Sequence, residues 1–88
     1  GLRKVRHWIY FKNLKQRIKM SEKLKSLKFS LDSIKYNRER QFPCELQVSR
    51  MDSITPTKVS ELTTIMKVLS QIYQARYDGW GTEVIPKE

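Results

Sequence analysis

Side chains capable of covalent or metal chemistry are scarce in this chain of 88 residues: one histidine, His7, one cysteine, Cys44, and nine carboxylates. His7 stands in an alternating run, "VRHWIYF", whose neighbouring inward positions are apolar, and a structural or partly exposed histidine is the ordinary occupant of such a position. Cys44 falls on the apolar side of a second alternating run, "CELQVSRM", where an inert thiol is the default. One imidazole and one thiol cannot complete the ligand set of a structural zinc site. A single cysteine also excludes an internal disulfide and suits a reducing compartment such as the cytoplasm. The carboxylates Glu45, Asp52, Asp78 and Glu83 show no motif spacing. His7 and Cys44 on neighbouring strands are the best constellation for catalysis, and nothing in the sequence pairs them. The expectation is a non-enzymatic protein with no metal and no cofactor.

The stretch "YDGWGT" at 77–82 holds two of the three glycines, Gly79 and Gly81, around Trp80. A dinucleotide fingerprint needs a third glycine and a following helix, but Val84 stands at that place and β-branched residues follow. A hairpin at Asp78–Gly79 needs a strand before it, and a helical pattern precedes it instead. A last strand remains, with Trp80, Thr82 and Val84 facing a core and both glycines on the open face. Trp8 and Tyr10 should lie on that same open face of the first strand. Glycine beside a large aromatic lets the ring lie over bare backbone, so Gly79 and Gly81 are expected to make room for Trp8 and Tyr10. A bulge at either glycine would reverse this phase. Asp78 could contact a partner, although bonding local backbone is its ordinary role.

A third group is basic. Lys12, Lys15, Lys19 and Lys23 recur at steps of three or four and share a helix face, with Arg3, Lys4 and Arg6 nearby. The chain carries a net charge of +9, and residues 1–40 hold 13 Lys/Arg against 3 acids. Such a face can engage phosphates, although lysine-rich helix faces are commonly just solvated.

The elements that must position these groups follow from pattern. Residues 5–11 alternate with β-branched and aromatic content and read as a strand. Asn13 caps a helix over 14–28 whose core stripe is expected to be Leu14, Ile18, Ser21, Leu24 and Leu27. Residues 29–36 form a second strand of ambiguous phase, since Phe29 and Leu31 compete with Ile34 and Tyr36 for the inward side. The polar stretch 37–43 is a loop ending at Pro43, and 44–51 is the third strand. Thr55 and Pro56 open a second helix with Val59, Leu62, Met66, Leu69 and Tyr73 inward and Ile65 and Ile72 widening that face. This helix is expected to stop near Ala75, with a last strand over 77–85. The order βαββαβ predicts an α+β, ferredoxin-like fold, with a four-stranded antiparallel sheet and two helices on one face.

Length and composition agree with one domain over 1–88. The chain is 39% hydrophobic, enough to fold, and its longest apolar run is only Trp8 to Phe11. No signal-peptide pattern is visible, and Gly1 in place of Met accords with a longer or processed parent chain.

"HWIYF" at 7–11, "LKSLKF" at 24–29, "LQVSRMDS" at 46–53 and "YDGWGT" at 77–82 together resemble the regulator of ribonuclease E activity B family. The resemblance spans nearly the whole chain and implies a ferredoxin-like fold. It also implies a non-catalytic inhibitor, of a bacterial type, that binds the scaffold region of the endoribonuclease that starts RNA decay. This sequence departs from the family's strongly acidic pattern in being basic.

A protein-binding regulatory domain is therefore the first expectation. Its contact surface is expected near Trp8, Tyr10, Asp78, Gly79, Trp80 and Gly81, which would also serve in a homodimer. An RNA- or DNA-binding domain using Lys12, Lys15, Lys19 and Lys23 is the alternative. A membrane role comes last, because the helix's apolar stripe is needed for the core.

Overall fold

The structure, a computed structural model, describes residues 1–82. Glu83 and Val84, to which the sequence assigns a carboxylate and an inward strand position, lie outside the described residues. The elements run β1 (Leu2–Phe11), α1 (Leu14–Ser26), β2 (Ser30–Tyr36), β3 (Cys44–Ser53), α2 (Pro56–Ile72) and β4 (Ala75–Thr82). The sheet order is β2-β3-β1-β4, with every neighbouring pair antiparallel. This is the ferredoxin-like arrangement expected from the element order.

One face of the sheet and both helices make the core. Ile9 and Phe11 of β1 and Cys44, Leu46 and Val48 of β3 pack with Met20 and Leu24 of α1 and with Leu62, Met66 and Leu69 of α2. The expected α2 stripe holds at its centre, but Ile65 and Ile72 face solvent rather than the core. The α1 stripe is rotated relative to the expectation. Leu24 is buried and Leu27 packs against the core as expected, but Met20 takes the inward place before them, which turns Leu14 and Ile18 outward.

The ambiguous phase of β2 has a physical resolution. Leu31 opposes Val48, then the register shifts, and Ile34 and Tyr36 oppose Leu46 and Cys44. The extra residue, Asp32, forms a β-bulge that places both competing sets on the helix side.

Helix ends follow local chemistry. The Asn13 side chain accepts from the Gln16 N–H at 3.0 Å, and Thr55 accepts from the Lys58 N–H at 3.3 Å with Pro56 opening the helix. At the end of α1, Lys28 takes φ +73°, its N–H donates to the Lys25 carbonyl and the Phe29 N–H donates to the Leu24 carbonyl. That is a Schellman stop with lysine in the place usually held by glycine. Gln74, at φ +54°, ends α2 in a similar left-handed residue, so β4 begins at Ala75 rather than Tyr77.

Candidate functional site

On β1, Val5, His7, Ile9 and Phe11 point toward the helices, which leaves Arg6, Trp8 and Tyr10 on the open face. Opposite them on β3 stand Ser49, Gln47 and Glu45. On β4, Gly81 pairs with Arg6 and Gly79 with Trp8. A Cβ on Gly81 would meet the Trp8 ring at 3.4 Å from Cζ3 and 3.5 Å from Cη2, so the indole lies over that glycine. Nothing crowds a Cβ at Gly79; its φ of +117° is what demands glycine there.

The reason is a second bulge. Trp8 pairs with Gly79 but Ile9 pairs with Tyr77, so Asp78 is the extra residue. On the C-terminal side of the bulge the expected phase holds, with Trp80 opposite His7 and Thr82 opposite Val5 on the helix side. On its N-terminal side the phase reverses, which brings Tyr77 and Ala75 against the core and puts Arg76 opposite Tyr10 on the open face. Gly81 therefore accommodates Trp8, while Tyr10 has no glycine beside it.

Tyr10 is covered instead by the β2–β3 loop. The Arg40 guanidinium stacks on its ring at 4.5 Å, and the hydroxyl donates to Glu45 Oε1 at 2.9 Å. Burial, reinforced by the hydrogen bond to Glu45, raises the phenol's pKa. A small cleft beside this ring is lined by Arg40, Gln41, Phe42, Arg76 and Asp78. Of the six residues expected at the contact surface, Trp8, Gly79 and Gly81 share one patch and Asp78 sits at its edge. Tyr10 is roofed over, and Trp80 lies across the sheet. The loop's role went unnoticed in the sequence, although Arg40 and Phe42 beside Pro43 were available as its signal.

His7 is fully buried, with Nδ1 2.9 Å from the Tyr77 hydroxyl and its ring edge-on to Phe29. Desolvation lowers its pKa to about 4, Asp52 opposing and Arg50 adding to that shift. Burial pushes the Tyr77 phenol up to about 12. His7 opposes Val48 while Cys44 opposes Phe11, so the two reactive side chains stand four positions apart on adjacent strands, roughly 13 Å. No His–Cys pair forms. Among the described residues no group of three His, Cys, Asp or Glu is placed to hold a metal.

The lysines divide. Lys15, Lys19 and Lys23 follow one another along exposed α1, whereas Lys12 precedes the helix and sits 5.3 Å over the Phe42 ring. All of them are separated from Trp8 by the sheet or the β2–β3 loop.

A family model described as regulator of ribonuclease activity B matches residues 1–82. The chain belongs to that family. No individually curated protein matches it. The matched span takes in every strand and both helices of the fold. Among the described residues no helix is long and apolar enough to cross a membrane.

Proposed function

We propose that this member of the regulator of ribonuclease activity B family is a non-catalytic domain that inhibits an RNA-degrading endoribonuclease by binding it as a protein partner through the open sheet face around Trp8. The family match over 1–82 carries this reading. The open face supplies the physical means: a half-buried indole held flat by Gly81, with Arg6 and Gln47 beside it and exposed Met51 farther along β3. An aromatic anchor ringed by polar groups is how a small protein interface is commonly built.

The test pairs titration calorimetry against the endoribonuclease's scaffold region with an RNA-cleavage assay. The wild-type domain is expected to bind and slow cleavage, and Trp8→Ala to lose about tenfold or more in affinity, as a hot-spot aromatic should, with its circular dichroism unchanged. Equal affinity of a folded Trp8→Ala variant would remove the face from the proposal. Failure of the wild type to bind would remove the partner.

A further inference from the structure

Beside the Trp8 patch lies a cleft whose charge the fold leaves unused. Arg76 pairs with Tyr10 across β4 and β1, so it stands on the open face two residues, roughly 7 Å, along β1 from Trp8. Arg40 reaches the same place from the β2–β3 loop and lies over the Tyr10 ring. The cleft that both arginines line has a volume of about 110 Å³ and is completed by Gln41, Phe42 and Asp78. That is roughly the share of four water molecules, enough for one small charged group.

The loop that presents Arg40 is tied down by its own backbone. The Asn37 N–H donates to the Pro43 carbonyl at 2.8 Å, and the Arg40 N–H donates to the Asn37 carbonyl at 3.1 Å. The Glu39 N–H donates to Asn37 Oδ1 at 3.1 Å. A loop held this way loses little freedom when a ligand arrives. Among the described residues, no carboxylate forms an ion pair with Arg40 or Arg76. Glu45, opposite Tyr10 on β3, is across that ring from Arg76 and accepts from the Tyr10 hydroxyl and from Gln47. Asp78 is the one acid of the lining, so two positive charges face a single negative one. Lys12, over the Phe42 wall at 5.3 Å, adds to that excess.

This balance selects the occupant. One carboxylate neutralises the excess and can accept from the guanidinium forks of both arginines. A phosphate monoester, at about −1.5 to −2, would leave negative charge beside Asp78. A nucleobase would need the Tyr10 face for stacking, and Arg40 already covers it. A second copy of the chain would bring a net charge of +9 against its own. We infer that the Arg40–Arg76 cleft binds a carboxylate, carried by an acidic side chain of a protein partner whose neighbouring residues cover Trp8. The partner rests on the protein-binding reading of the Trp8 face; the carboxylate chemistry rests on the cleft itself.

The test records NMR signals of the arginine side-chain N–H groups of the 88-residue chain during titration with a capped Leu-Glu-Leu peptide. Comparison probes are a capped Leu-Gln-Leu peptide, inorganic phosphate and a uridine oligonucleotide. Leu-Glu-Leu is expected to shift the Arg40 and Arg76 signals and to bind more tightly than any comparison probe. Arg76→Gln should weaken it by about tenfold, as loss of a charge-assisted hydrogen bond does. Asp78→Asn should tighten it by about threefold by removing a like charge. Arg76 is exposed on an edge strand, so its variant keeps the fold, and circular dichroism verifies it. Equal binding of Leu-Gln-Leu, tighter binding of phosphate or of the oligonucleotide, or unchanged affinity in Arg76→Gln would overturn the proposal. A wild type that responds to Leu-Glu-Leu but ignores the endoribonuclease removes that partner and keeps the cleft. Binding to the endoribonuclease with Arg40 and Arg76 silent toward Leu-Glu-Leu removes the cleft and keeps the partner.

Discussion

The two glycines of β4 are required for different reasons, which makes them separable by experiment. Gly79→Ala has space for its methyl but must adopt φ +117°, so it should cost about 1–2 kcal/mol in denaturant unfolding. Gly81→Ala meets only ordinary van der Waals contact with the indole and should be near neutral, while Gly81→Val should displace the ring and shift Trp8 fluorescence. His7 provides a pH signature. The unfolded chain takes up its proton near pH 6.5, whereas the folded chain resists until about 4. Between those values the unfolded state holds more protons, so the stability contributed at neutral pH is lost as pH falls from 6.5 through 4. The loss is at most roughly 3 kcal/mol. His7→Leu should flatten the fall of Tm across that window relative to wild type, and an unchanged slope would mean another group titrates. Position 7 was legible as an inward strand residue. Its bond to Tyr77 was not, because that contact depends on the bulge at Asp78.

At the scale of elements, Arg50 holds α1 to the sheet. Its Nε and Nη2 grip the Asp52 carboxylate at 2.8 and 3.1 Å, Nη1 donates to the Leu27 carbonyl at 2.9 Å, and the guanidinium lies over Phe29 at 4.3 Å. A cation at a helix C-terminus also interacts favourably with the helix dipole. Arg50→Leu should destabilise by about 3 kcal/mol, because it leaves Asp52 buried and unpaired. Adding Asp52→Leu should recover much of that loss in thermal melts, and no recovery would show that the helix latch, not the buried charge, dominates. Element types and order were legible from alternation, caps and the Thr55–Pro56 start. The rotation of α1 was not. Leu14, Ile18 and Met20 are all apolar, and only the position of the sheet decides that Met20 joins Leu24 in the core while the other two face out. The phase of β2 was undecidable for a related reason, since a single extra residue put both candidate sets on one side.

For the whole molecule, the aromatic open face over β1 and β4 and the exposed lysines of α1 lie on opposite sides of one sheet. Material captured from lysate on the immobilised domain should survive nuclease treatment if protein partners dominate, and its loss would favour the lysine row of α1. Composition, alternation and capping chemistry determined the fold class, the excess of basic charge in the first half and the scarcity of catalytic groups, because each depends on residues close together in the chain. Only the tertiary structure decided which aromatics stay accessible. Tyr10 is closed off by a loop thirty residues away in sequence, and Trp8 is spread over a glycine more than seventy residues away. Such pairings are set by strand register and two single-residue bulges, which shift every side chain beyond them to the other face.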